Sequence, residues 1–183
     1  VDIPGGICYF LWDRDYKGAC SVVNYSKTEE RSEAIRSLNE FPIFIRYNEA
    51  VSIVKKVLSH KESTLNNMIS SRRPFGLDSS TAFEPDGDVI LRSSSGLGRI
   101  RRTSIPSGQE YIDKWKVIVS KVSFEHAGVP DKEGMMRVLS VVQKLSPQSA
   151  CTESYLLAAA FDTESECDNF ISYLKTKLVR FLI

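Results

Sequence analysis

The sequence predicts an α+β fold, because strand-like and helix-like patterns share one chain that has no internal repeat. Short runs rich in β-branched and aromatic residues, such as Ile7–Trp12 and Tyr155–Phe161, are typical of strands. Apolar residues recur at helical spacing over Glu49–Ser59 and again after Thr163. With 183 residues, of which 42% are hydrophobic, the chain can form one core, or one core plus a smaller annex.

The start of the chain is predicted to form a hairpin. Its strands, Ile7–Trp12 and Ala19–Tyr25, are joined by a turn that is rich in Asp and closed by Gly18. Acids and bases alternate over residues 27–40, which indicates a solvated helix or loop. A short strand over Pro42–Arg46 is then expected to lead into the first long helix.

That helix is predicted over Glu49–Ser59, with Asn48 as its N-terminal cap. The apolar residues that share one of its faces are Ala50, Val51, Val54, Val57 and Leu58. A shorter helix is expected at Thr64–Ser70. After Ser70 the chain becomes rich in Ser, Gly, Arg and Pro, so we predict a domain boundary near residues 60–70.

The remainder is predicted to contain five strands and one terminal helix. The strand candidates are Val89–Arg92, Gly98–Thr103, Trp115–Ser123, Met135–Leu145 and Tyr155–Phe161. Thr163 is expected to cap a helix that continues through Leu182, with acidic residues in its first turn and basic residues in its last turns. The face of that helix expected to bury against the strands carries Phe170, Leu174, Leu178 and Phe181.

Composition excludes some classes of protein. No apolar run approaches the roughly 20 residues that span a bilayer, and no signal-peptide pattern opens the chain. Cys8 and Cys151 lie in apolar runs, which favours reduced core thiols in a cytoplasmic protein. The net charge of +1 does not itself indicate a nucleic-acid partner.

Four separated segments carry a family resemblance. They are GGICYFLWDRDYKG near the start, FPIFIRYNEAVSIVKKVL at residues 41–58, SRRPFGL at residues 71–77, and the closing SYLKTKLVRFLI. These segments resemble the C-terminal part of bacterial adenine-N6 DNA methyltransferases of restriction–modification systems, in the branch where methylase and specificity region share one chain. The stretch from about residue 80 to 150 is the part expected to vary with the DNA site.

The resemblance implies two domains and a place in a larger enzyme. Residues 1–62 would be the C-terminal edge of a Rossmann-like methyltransferase sheet. Residues 63–183 would be a mixed α/β target-recognition domain for duplex DNA, truncated at the C-terminus. The whole enzyme would transfer a methyl group from S-adenosylmethionine to adenine N6, with its catalytic residues upstream of Val1. Its partners would be duplex DNA, the missing N-terminal catalytic domain and a restriction nuclease.

Neither motif that such a methyltransferase needs is present in the chain. Gly96-Leu97-Gly98 lies in a basic, Ser-rich loop without the strand-to-helix context of a cofactor turn. Arg73-Pro74-Phe75-Gly76 lacks the amide and the second proline of the loop that holds a flipped adenine. We therefore expect this chain alone to be inactive, with no cofactor and no catalytic residue of its own.

The candidate functional residues are basic. They are Arg72, Arg73, Arg92, Arg99, Arg101, Arg102, Lys114 and Lys116, and within the segment from 92 to 121 the only acids are Glu110 and Asp113. Arg can donate two hydrogen bonds to guanine, whereas Lys and Ser suit phosphates. The alternative is a solvated loop with an ordinary basic surface. The resemblance also places Tyr9 or Phe10 against a flipped base, while the strand pattern favours alternate aromatics that fill the core on one face.

The sequence also bears on two other functions, a metal-dependent nuclease and a module that docks another subunit. A metal-dependent nuclease needs an acid-x-Lys triplet downstream of Pro85-Asp86, and no such triplet follows it. His60 and His126 are solitary, so no metal site is expected. A module that docks a separate methylase or nuclease subunit remains the alternative function. An exposed apolar patch, with the basic loop folded away, would favour it.

Overall fold

The computed structural model describes residues 7–25, 30–121 and 139–182. These ranges contain eight strands and four α-helices in mixed order, so the α+β class is confirmed. The chain divides into two compact units between Ser63 and Thr64. The described part of the first unit is residues 7–25 and 30–63, and that of the second unit is residues 64–121 and 139–182.

The first unit is built on a two-stranded antiparallel sheet. Strand β1 (Cys20–Tyr25) pairs with β2 (Arg31–Arg36), while the predicted partner Ile7–Trp12 forms no strand. The predicted hairpin is therefore wrong, and part of the stretch predicted as helix or loop is a strand. The half-buried face of β2 carries Ser32, Ala34 and Arg36. Because these residues are not a row of apolar side chains, the period of two gives no hydrophobic signal.

Helix α1 (Asn48–Ser59) confirms the predicted helix but not its cap. The residue at the cap position is Tyr47, and the amide of Asn48 donates instead to the carbonyls of Val22 (3.0 Å) and Ser32 (3.2 Å). Asn48 thus ties the helix to both strands. The strand predicted over Pro42–Arg46 is absent, and the carbonyl of Ile45 accepts a hydrogen bond from the Arg36 guanidinium instead (2.8 Å).

The second unit contains two three-stranded sheets and three helices. Its elements in chain order are β3 (Val89–Ser93), β4 (Gly96–Ile100), α2 (Gln109–Ile112), β5 (Trp115–Ser120), β6 (Val142–Leu145), β7 (Ser149–Cys151), β8 (Tyr155–Phe161), α3 (Glu164–Leu174) and α4 (Lys177–Leu182). Short 3-10 turns lie at Leu65–Asn67 and Arg102–Ser104. The strand order is β4-β3-β7 in one sheet, called here the hairpin sheet, and β6-β5-β8 in the other, the central sheet.

The central sheet is covered on both faces. Val117 and Ala158 pack with Cys167 and Leu174 of α3, whereas the next residues along the same two strands belong to the core shared with the hairpin sheet. That shared core includes Ile118, Leu157, Leu91, Ile100 and Phe75. The layers are therefore α3, the central sheet and the hairpin sheet, which leaves the outer face of the β3–β4 hairpin on the far side from α3.

The strand predictions for this unit are largely confirmed. Tyr155–Phe161 has the predicted bounds, and strands occupy all of Val89–Arg92 and the first part of Trp115–Ser123. Residues 122–138, which include the first four residues of the predicted Met135–Leu145 strand, lie outside the described residues. Strand β7 was not predicted, because three residues give no readable period.

The terminal helix is capped as predicted but is not continuous. Thr163 Oγ1 accepts a hydrogen bond from the Glu166 N–H (3.3 Å), and the Glu166 carboxylate accepts one from the Thr163 N–H (3.1 Å). Helix α3 ends at Leu174 and α4 begins at Lys177. This break changes the buried face, so Val179 is 2% exposed while Leu178 and Phe181 are 46% and 43% exposed. Their predicted burial is wrong.

Two further observations concern the cysteines and the helices. Cys151 and Cys167 are buried, but Cys8 is exposed, so the prediction of a core thiol at Cys8 is wrong. Its segment forms no strand and therefore has no buried face. None of the helices within the described ranges has the length and apolar character needed to cross a membrane.

Candidate nucleic-acid interface

The outer face of the β3–β4 hairpin carries two of the predicted arginines. In the antiparallel register Arg92 is opposite Leu97 and Ile90 is opposite Arg99, so these four side chains share one face. The alternate residues of the hairpin point into the core. Arg92 and Arg99 are therefore diagonal neighbours of like charge, with two exposed aliphatic side chains between and beside them.

Arg99 is exposed on the edge strand β4. Its Nη1 donates to the carbonyl of Gly87 at 3.2 Å. None of the ion pairs among the described residues includes Arg99. Its guanidinium thus keeps several donors for an external acceptor.

Arg92 is partly buried on β3, the middle strand of the hairpin sheet. Its Cζ lies 5.6 Å from the centroid of the Tyr155 ring, in cation–π geometry. Its Nε is buried and has no hydrogen-bond partner. Like Arg99, it takes part in none of the ion pairs of the described residues.

The arginines that follow β4 are paired with acids. Arg101 lies 3.6 Å from Glu84 and 3.8 Å from Asp86, and Arg102 lies 2.8 Å from Asp113. Glu84 and Asp86 precede the segment whose charges were counted in the sequence, and the turn before β3 brings them beside it. The basic segment is therefore partly neutralised by acids that a count over residues 92–121 misses.

Arg72 and Arg73 share one carboxylate oxygen. Glu153 Oε2 lies 3.0 Å from a donor of each guanidinium, and this contact lowers the pKa of Glu153 and raises that of Arg73. Both arginine side chains remain at least half exposed. Glu153 follows β7, and the adjacent Thr152 N–H donates to the Arg92 carbonyl at 3.0 Å. Three arginines thus surround the turn between β7 and β8.

The two predicted lysines differ from each other. Lys114 forms a surface ion pair with Asp162 at 2.9 Å. Lys116 is fully buried, and its Nζ lies 2.6–3.2 Å from the carbonyl oxygens of Tyr111, Ile112, Lys114 and Ser146, which share its three N–H donors. Burial lowers the pKa of Lys116 to about 8. The prediction of Lys116 as a DNA contact is therefore wrong, because it closes the end of α2 inside the protein.

Tyr9 and Phe10 lie in the first unit, in a segment without regular structure. They are 86% and 85% exposed, so the interpretation that aromatics of this segment fill a core is wrong. Contact with a flipped base stays a prediction. The described residues contain no group of three or more His, Cys, Asp or Glu side chains arranged to hold a metal ion.

The remaining arrangement can bind anions. The arginines of these ion pairs are half exposed or more, so phosphates can compete with the carboxylates of Glu153, Glu84 and Asp86 for their donors. Sequence reasoning missed Glu153 and Tyr155, which orient the arginines, and no local pattern marks either residue.

Comparison of the chain with protein-family models, with curated proteins and with solved structures finds no match.

Proposed function

We propose that residues 64–182 bind duplex DNA and that the chain is the target-recognition part of a site-specific adenine-N6 DNA methyltransferase. The observation that carries the binding proposal is the outer face of the β3–β4 hairpin. Arg92 and Arg99 are diagonal neighbours there, and neither is in an ion pair within the described part of the chain. Like charges that share a face repel each other, and a polyanion that binds there relieves this repulsion.

The paired arginines supply the rest of the binding surface. Arg72, Arg73 and Arg101 are half exposed or more, and each lies within 4.0 Å of a carboxylate. When DNA binds, phosphate oxygens take the place of these carboxylates and counterions leave the duplex. Such contacts set affinity and position but carry no sequence information.

The enzyme class is supported by the four resembling segments. In the whole enzyme, S-adenosylmethionine supplies the methyl group, and the acceptor is adenine N6 in duplex DNA. Residues 7–63 are proposed as the edge of the Rossmann-like catalytic sheet, where Tyr9 and Phe10 are exposed and free to meet a flipped base. The target-recognition unit holds the duplex so that methyl transfer occurs at one DNA sequence.

The test is a titration of a fluorescent duplex with the 183-residue chain at several salt concentrations. The variant carries Arg99→Ala and Arg101→Ala. The matched control carries Lys175→Ala and Lys177→Ala, which removes two exposed charges near the junction of α3 and α4. We expect the slope of log K against log salt to flatten by about 0.9 for each phosphate that is no longer neutralised, in the first variant alone.

If the Arg99 and Arg101 variant binds like the control, with the same affinity and the same slope, the assignment of this face is wrong. Failure of the wild-type chain to bind duplex DNA at low salt would reject DNA binding altogether.

A second candidate function is favoured by one observation. The side chains of Ile7, Leu11 and Trp12 are apolar and highly exposed, as in a surface that docks another protein. A module that docks a methylase or nuclease subunit would have no salt-dependent affinity for duplex DNA. The titration therefore separates the two functions.

A further inference from the structure

Arg92 differs from Arg72 and Arg101 in how the fold positions it. Its backbone lies on the middle strand, paired with Leu97 on one side and Cys151 on the other. Its guanidinium lies over the Tyr155 ring, and Tyr155 is itself buried. By contrast, Arg72 and Arg101 extend from irregular segments and are fixed only by surface ion pairs. Arg92 therefore presents its donors in one direction before any ligand binds.

One donor of Arg92, Nε, lacks an acceptor within the protein, and the guanidinium makes no ion pair among the described residues. Because Nε is buried, the donors that an external ligand can reach are those of the two Nη atoms. The guanidinium is a planar fork, which matches two acceptors side by side.

The neighbours of Arg92 decide which acceptors fit. Ile90 and Leu97 share its face and are both exposed. Aliphatic side chains gain nothing beside a phosphate, but they pack well against base edges and the thymine methyl group. The half-exposed arginines elsewhere on the unit suit phosphates, which follow the rim of a groove. A rigid fork between aliphatic side chains suits the floor of the groove.

We infer that Arg92 is the specificity-determining residue of this face, donating two parallel hydrogen bonds to O6 and N7 of a guanine in the major groove. The inference rests on the proposed function. Arg92 reads a base, the exposed arginines hold phosphates, and Tyr155 keeps the guanidinium in the reading position.

The test begins with selection of bound duplexes from a randomised pool by the wild-type chain. Each guanine of a selected duplex is then replaced in turn by 7-deazaguanine, which lacks the N7 acceptor. We expect one replacement to weaken wild-type binding roughly ten-fold. The Arg92→Ala variant should bind the unmodified duplex more weakly and show no further loss with 7-deazaguanine at that position.

Two controls separate reading from charge and from folding. Arg92→Lys keeps the positive charge but loses the fork, so it should keep the salt slope and lose the penalty for 7-deazaguanine. Arg101→Ala should flatten the salt slope and keep the penalty. Thermal unfolding of each variant checks that the second unit remains folded.

The outcomes distinguish this inference from the proposed function. If the wild-type chain binds DNA but selects no guanine, or if Arg92→Ala and Arg92→Lys keep the full penalty, Arg92 does not read a base and DNA binding stands. If the wild-type chain binds no duplex at all, both proposals fail.

Discussion

The two units of the chain keep their shape by different means. Of the buried apolar side chains among the described residues, Ala50 alone belongs to the first unit, and the others belong to residues 64–182. The second unit has two apolar clusters, one on each face of its central sheet. In the first unit, large apolar residues such as Phe10 and Trp12 are exposed. Hydrophobic burial is thus a property of the second unit.

Polar contacts take the place of a core in the first unit. Asn48 joins α1 to β1 and β2, and Arg36 donates to Asn48 at 3.3 Å while its guanidinium lies 5.2 Å from the Phe44 ring. Hydrogen bonds of this kind contribute about 0.5–1.5 kcal/mol each, less than a buried aromatic side chain. Equal truncations should therefore have unequal effects in the two units.

The sharpest test is one substitution made in both units. Phe75→Ala removes a ring that is 0% exposed, whereas Phe10→Ala removes one that is 85% exposed. We expect the first to lower the free energy of unfolding of the second unit by about 3–5 kcal/mol. Phe10→Ala should change the free energy of unfolding of the first unit by less than about 0.5 kcal/mol. Urea denaturation followed by circular dichroism measures both, and equal losses would contradict the contrast between the units.

A second substitution pair examines the break between α3 and α4. Leu174→Ala removes a side chain that packs with Val117 and Cys167, and we expect it to cost about 2–5 kcal/mol. Leu178→Ala lies beyond the break, on the exposed side, and should cost less than about 1 kcal/mol. If both variants unfold at the same urea concentration, the terminal helix is continuous and buries the face that its sequence predicts.

The elements that the sequence predicts correctly have local causes. Thr163 and Glu166 form a capping box from residues three apart, and Tyr155–Phe161 is a continuous apolar run, so neighbours alone reveal them. Strand β2 is stabilised by pairing with β1, and its half-buried face carries Ser32, Ala34 and Arg36. Neighbouring residues alone therefore do not reveal this strand. The break after Leu174 has a local component, because Thr176 Oγ1 accepts a hydrogen bond from the Val179 N–H at 3.4 Å where α4 begins.

The candidate site was predictable as a set of residues but not as an arrangement. Arg99 and Arg101 were found from their charge alone. Their acid partners come from other segments, as do Glu153 and Tyr155, and only the fold brings these groups together. Lys116 shows the converse case, because a lysine buried among carbonyls looks, in the sequence, like any surface lysine.

The ionisation of Lys116 gives a pH-dependent test of burial in the second unit. Burial lowers its pKa from 10.5 to about 8. Between these values the unfolded chain binds the proton more often than the folded chain, so this group makes folding more favourable as pH rises. Its contribution is complete above the unfolded pKa and is lost as pH falls through the folded pKa. Relative to Lys116→Met, the wild-type chain should gain on the order of 2 kcal/mol between about pH 7 and pH 10.

The comparison with Lys116→Met is needed because a neighbouring group acts in the opposite sense. Burial raises the pKa of the Cys151 thiol to about 12, so its contribution falls as pH rises above its ordinary range. The thiol is present in both proteins, so the effect of its burial cancels in the difference, whereas the Lys116 charge lowers the pKa of Cys151 in the wild-type chain alone. A difference in unfolding free energy that stays constant with pH would mean that the four carbonyl contacts hold the proton despite burial.

The smallest effects are expected at the helix starts, where the two units again differ. Thr163→Ala removes a cap within the second unit and should cost about 1 kcal/mol, spread over the first turn of α3. Asn48→Ala removes no cap, because its side chain bonds to Val22 and Ser32 on the two strands. We therefore expect faster amide hydrogen exchange in β1 and β2, with exchange in residues 64–182 unchanged. Asn48→Asp is a matched control, since a carboxylate keeps the size of the side chain but cannot donate to these carbonyls, and it should behave like alanine. Protection that changes in α1 alone would show that Asn48 acts as the cap its sequence position predicts.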